Sequence, residues 1–172
     1  MKKTPVYIVI AFLLISALFL PSCIKKPVYP SEPVIAYKDF LRYGTNPLVP
    51  DSVDLVISFT DNEGDIGLGQ SDTSGIFKYG NLIMTYYYYD KDSLQWFTLD
   101  DPTTPTVADT LRFYYRVPPV LPDDDDSEPM KGLIYAKQKP FFVVHDSIKY
   151  EVYMYDKALH KSNVIETPPF GF

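Results

Sequence analysis

The chain has 172 residues, 46% hydrophobic and 16% aromatic, with 16 basic and 22 acidic side chains and a net charge of −6. That balance argues against nucleic acid, whose phosphates call for clustered Lys and Arg, and it disfavours peripheral binding to anionic lipid headgroups. The single cysteine excludes a disulfide within the chain and a Cys-type zinc site.

The first element is an apolar run from Val6 to Leu20, preceded by Lys2 and Lys3 and followed by Leu20-Pro21-Ser22-Cys23. As a helix its roughly 15 residues span about 22 Å, short of the ~30 Å hydrocarbon core that a permanent transmembrane helix must cross. Charged, apolar and small-residue regions in this order read as a secretory signal. The arrangement resembles a bacterial lipoprotein signal, with Pro21 where a small or branched residue is usual. The resemblance implies that residues 1–22 are removed and that Cys23 carries the lipid. Two readings stay open beside it: an uncleaved anchor, and an ordinary signal peptide with an incidental cysteine. A diacylglyceryl group plus an N-acyl chain anchors stably where one chain alone does not. Cleavage also removes Lys2 and Lys3 and no acid, so the mature chain is more acidic still.

Residues 23–32 contain two prolines and little periodicity and read as an extended tether. From residue 33 the chain turns β-rich. Val34 to Phe40 is a first, weak strand. In Val53 to Phe59, the residues Val53, Leu55, Ile57 and Phe59 share one face with period two. Leu82 to Tyr89 and Leu94 to Leu99 flank Asp90-Lys91-Asp92-Ser93 and read as a hairpin. Leu111 to Val117, Gly132 to Lys137, Ile148 to Tyr155 and Asn163 to Thr167 follow. In the segment from Ile148, the inward set is Ile148, Tyr150, Val152 and Met154. Sixteen prolines leave little room for long helices. The expectation is an all-β, antiparallel β-sandwich of about 7–8 strands over residues 33–172, preceded by a signal-peptide helix. If the segments at 94–99 and 111–117 are separate strands, the connection around Asp100–Asp109 must cross the sandwich for the last two strands to keep the positions such a sandwich gives them.

Two stretches carry a further resemblance. Phe59-Thr60-Asp61-Asn62-Glu63-Gly64-Asp65-Ile66-Gly67-Leu68 resembles the Phe-x-Asp-Gly-Asp-Gly-Asp-Ile-Gly segment of uncharacterised Bacteroidetes-type lipoproteins, with Asn62 and Glu63 replacing Gly and Asp. Tyr150 to Asn163 is similar to their final hairpin. It also resembles the last two strands of bacterial immunoglobulin-like modules, where Leu159-His160 here replaces the Gly-Asn of an Asp-x-Ala-Gly-Asn-x-Ser turn. The resemblance implies an immunoglobulin-like sandwich on a lipid anchor. In such lipoproteins, acids soon after the cysteine favour display on the cell surface. Ile24-Lys25-Lys26 stand there in this chain, so the expected location is the periplasmic face of the outer membrane.

Asp61, Glu63 and Asp65 alternate on one loop whose Gly64 and Gly67 let the backbone curl, and oxygens so placed can converge on calcium. The EF-hand pattern does not fit. With Asp61 as its first position, Ile66 falls where glycine belongs and Asp72 where a bidentate Glu is expected. The competing reading is a turn whose carboxylates cap backbone N–H groups while Ile66 and Leu68 plug the sandwich end. The loop Leu121 to Pro129, with five acids, reads as a solvated connection.

The aromatic segments Tyr86–Tyr89, Trp96-Phe97 and Phe113–Tyr115 could present a platform for sugar rings, although tyrosine also simply favours strands. His145 and His160 have no metal-binding spacing, and no nucleophile elbow or phosphate loop is present. The functional expectation is therefore a non-catalytic binding or scaffolding lipoprotein whose partner is an envelope protein or a polysaccharide. A glycan-binding accessory protein and a calcium-stabilised adhesion-like module are the alternatives.

Overall fold

The computed structural model describes residues 26–46, 50–99, 110–120, 128–138 and 145–171. The leader and Cys23, and most of the acidic loop after Leu121, lie outside the described residues. The described chain is all-β, with nine antiparallel strands in two facing sheets. These are β1 (Val34–Tyr43), β2 (Ser52–Asp61), β3 (Leu82–Asp90), β4 (Gln95–Thr98), β5 (Arg112–Tyr115), β6 (Met130–Gln138), β7 (Ser147–Met154), β8 (Ile165–Glu166) and β9 (Phe170–Gly171). A 3-10 turn at Gly75–Lys78 lies between β2 and β3.

One sheet runs β1-β2-β6 and the other β4-β3-β7-β8, with β5 also on β3 and β9 also on β7. The period-two patterns place their apolar faces between the sheets. Val53, Leu55, Ile57 and Phe59 from β2 meet Leu82, Met84 and Tyr86 from β3 and Ile148, Tyr150, Val152 and Met154 from β7 in one buried cluster. At about 1.5–3 kcal/mol for each large apolar side chain removed from water, this cluster is the main favourable term in folding. Phe170, just beyond Pro168-Pro169, adds a strand the sequence pattern does not announce. Its ring stacks on Phe40 at 3.9 Å and closes the core at the end opposite Asp61.

The segments 94–99 and 111–117 lie on the same edge of one sheet, so the expected crossing is not required. Thr98 pairs with Tyr87 and Arg112 pairs with Thr85, both antiparallel and both on the edge of β3 away from β7. Leu111 N–H donates to Leu99 O at 2.6 Å. β4 and β5 are thus two stretches of one edge line beside β3, joined through residues 100–109, which lie outside the described residues, and the up–down order of the later strands is undisturbed. The β3–β4 hairpin forms because Asp90 Oδ1 accepts from the N–H groups of Asp92 and Ser93, at 2.9 and 2.8 Å.

Candidate cation site

One end of the sandwich collects the end of β2, the starts of β1, β3 and β6, and the end of β7. β2 stops at Asp61, and Gly64, at φ 68°, reverses the chain in a left-handed conformation that suits glycine. The reversal lets Asp65 N–H donate to Asp61 Oδ2 at 3.1 Å. Ile66 and Leu68 then turn inward, 1% and 2% exposed, as the plug that their apolar character anticipates. Gly67 packs so closely that a Cβ there would lie 2.3 Å from Pro119 Cα.

From the other sheet, β7 runs on through Tyr155, which bridges to Lys161, into a tight turn. Leu159 takes φ 70° there, so the residue replacing glycine keeps the left-handed geometry. Asp156 holds the turn. Its Oδ1 accepts from His160 N–H at 2.7 Å, and its Oδ2 lies 2.9 Å from His160 Nδ1. Lys157 N–H donates to Asp65 O at 3.1 Å and ties this turn to the β2 loop.

The result is a triad of carboxylates. Asp61, Asp65 and Asp156 each offer an oxygen within 4.8 Å of the others. Asp61 and Asp156 are completely buried. Two unit charges at that separation repel by about 3–4 kcal/mol at an effective dielectric near 20. Burial, with the charges of Asp65 and Asp156 adding to it, raises the Asp61 pKa to about 6. Asp65 shifts upward too, chiefly through burial and then through Asp156. The His160 pKa is raised mainly by its hydrogen bond to Asp156. Asp61 Oδ1, Asp65 Oδ1 and Glu63 Oε2 are buried and have no hydrogen-bond partner among the described residues.

Of the three acids singled out in the sequence, Asp61 and Asp65 come together. Glu63 stands beside them and is turned toward the chain preceding β1. Its Oε1 accepts from Ser31 Oγ at 3.0 Å, and neighbouring Asn62 Oδ1 accepts from Tyr29 N–H at 3.2 Å. The described part of the tether therefore docks along the acidic loop. Asp156 is the member that sequence reasoning missed. It lies far along the chain from Asp61, and only pairing across the two sheets brings it near. Its place in the Asp-x-Ala turn signals a capping residue, not a ligand.

The aromatic segments are distributed over both faces. Tyr86 is buried, with its OH 3.0 Å from His145 Nδ1, and Tyr88 stacks on His145 at 4.1 Å. On the outer face, Tyr89 and Trp96 are tilted by 57°, and the Lys149 ammonium lies over both Trp96 and Tyr87. That geometry is a ribbed, lysine-covered surface rather than a flat platform. Asp146 pairs with Lys91 and forms no dyad with His145. No family model, curated protein or solved structure matches this chain.

Proposed function

We propose that this chain is a non-catalytic binding or scaffolding module of a bacterial envelope, with an immunoglobulin-like sandwich held at the outer membrane by lipid on Cys23. The observation that carries the reading is the 15-residue apolar run closed by a lone cysteine, which is long enough for a signal and short for a span. The strand order supports the immunoglobulin-like assignment. β1, β2 and β6 take the places of strands A, B and E, and β3, β7 and β8 with β9 those of C, F and G. The split edge strand β4–β5 then takes the extra position beside C. Tyr29 and Ser31 are held on Asn62 and Glu63 at the acidic end, and on this reading that end faces the membrane. The opposite end and the outer sheet faces are left for partners.

Membrane fractionation tests the anchor. Wild type sediments with membranes and its N-terminal peptide has the mass of an acylated cysteine, whereas Cys23→Ser is released or retains its leader. An unmodified thiol on the membrane-bound protein overturns the reading. Protease shaving of intact cells tests the leaflet: resistance until the outer membrane is permeabilised is the expected result.

A further inference from the structure

The geometry points to a binding site for one calcium-class divalent cation formed by Asp61, Asp65 and Asp156, which joins the β2 loop to the β7 turn. Two independent observations converge on it. The first is the placement of three carboxylate oxygens from two loops on opposite sheets within 4.8 Å of one another. The second is that Asp61, a completely buried residue, has an oxygen, Oδ1, with no hydrogen-bond partner among the described residues, and the same is true of Asp65 Oδ1 beside it. Buried polar atoms in native proteins are almost always partnered. Orphaned acceptors facing like charges are what a cation satisfies.

The donor set selects the ion. All three ligands are hard carboxylate oxygens, and the His160 ring is already engaged by Asp156 Oδ2, so the site suits calcium or magnesium rather than zinc or copper. Coordination habit favours calcium, which accepts about six to eight oxygens in a flexible sphere, whereas magnesium demands a near-ideal octahedron and gives up its waters reluctantly. The three oxygens, each within 4.8 Å of the others, come from two separate loops and suit the more tolerant ion. Glu63 adds a fourth negative charge on the same loop, with Oε2 free to accept. His160 fixes the orientation of Asp156, and the Lys157–Asp65 backbone hydrogen bond fixes the distance between the loops.

The consequence is mechanical. The ion clamps β2 of one sheet to β7 of the other at the end where Tyr29 and Ser31 dock, so occupancy stiffens the point at which the tether leaves the domain. This inference is independent of whether Cys23 is acylated, and its test does not involve the membrane.

The test uses the full chain, stripped of metal and melted at neutral pH with increasing calcium chloride, with a parallel magnesium chloride series. A ligand that binds only the folded state raises the melting temperature. The expected result is a saturable rise with calcium, a much smaller one with magnesium, and about one calcium per chain by equilibrium dialysis. Asp156→Asn weakens calcium binding at least about tenfold, since even partners of metal ligands cost that much. Asp61→Asn keeps an acceptor for Asp65 N–H but loses a charge. It melts higher than wild type without metal and no longer responds to calcium. An Asp72→Asn control behaves as wild type. Absence of both a calcium-dependent shift and stoichiometric binding in the wild type overturns the site and leaves a triad neutralised by protons. An undiminished calcium response in Asp61→Asn overturns it too. Dialysis on the wild type decides the matter even if a variant fails to fold.

Discussion

Two buried polar clusters lie side by side at the same end of the sandwich and solve the same problem in opposite ways. Asn81, completely buried just before β3, engages both side-chain donors and its side-chain oxygen with backbone groups. Its Nδ2 donates to Ile66 O at 2.7 Å and Tyr155 O at 2.8 Å, and its Oδ1 accepts from Val117 N–H at 3.0 Å. Its own backbone joins Tyr115 and Tyr155. The Asp61–Asp65–Asp156 triad links the same loop and the same β7 extension but leaves buried oxygens unpartnered and like charges together. A neutral amide can close its network with protein groups alone. A carboxylate triad cannot, because carboxylates only accept, and it needs protons or a cation to finish it.

The sharpest way to break this comparison is to empty the completed knot. Asn81→Ala orphans two carbonyls and an N–H in a dry site, and should cost roughly 2–4 kcal/mol in urea unfolding, with or without calcium. A loss below about 1 kcal/mol would mean that water replaces the amide and that the two clusters are less different than their bonding implies.

The next effect is the pH response of the metal-free triad. The folded pKa of Asp61, about 6, lies above its ordinary 3.8, so the folded state holds its proton longer. The protonated form is favoured by folding, and stability falls as pH rises from about 4 through 6. Asp65 works in the same direction. His160, also raised, contributes stability at low pH that is lost as pH climbs past its folded value. Asp90, Glu128 and Asp146 are lowered by hydrogen bonds at the exposed surface and act oppositely. The difference between wild type and Asp61→Asn isolates the buried acid. It should change by about 1–2 kcal/mol across this window after allowance for solvent screening, and calcium should shrink it. A wild type that gains stability relative to Asp61→Asn over the same pH range would contradict the buried repulsion.

The smallest effect sharpens the frame around Asp156. Leu159 holds a left-handed conformation while 57% exposed. Leu159→Gly relieves that strain and should raise the unfolding free energy by up to about 1 kcal/mol while leaving calcium affinity unchanged. A destabilised variant would show that the leucine side chain supports the turn by packing.

Much of the fold was legible because strand periodicity is a local signal. The alternation in 53–59 and 148–154 places the observed core residues directly, and the Asp90–Ser93 turn locates the hairpin. The halves of the split edge strand were each visible, but not that they continue one line along β3, since collinearity depends on the partner's register. β9 escaped notice because two residues cannot show a period and Pro168-Pro169 precede them. At the acidic end, the alternating carboxylates of 61–65 drew attention through spacing within one loop. Asp156 could not be found in this way, because its neighbours in space belong to another sheet.

What the residue order determined by itself is the class of structure and the chemistry on offer. Period-two apolar patterns with proline-rich connections demand a two-sheet β domain, and an acidic chain with one cysteine offers oxygen ligands and a single thiol. What only the tertiary structure decided is which of those oxygens meet. Closing β2 and β7 against a common core carries carboxylate oxygens of Asp61 and Asp156 within 4.8 Å of each other and removes water from both. Burial then makes their charges repel strongly enough to require a proton or an ion, and burial is a property of the assembled sheets, not of any segment.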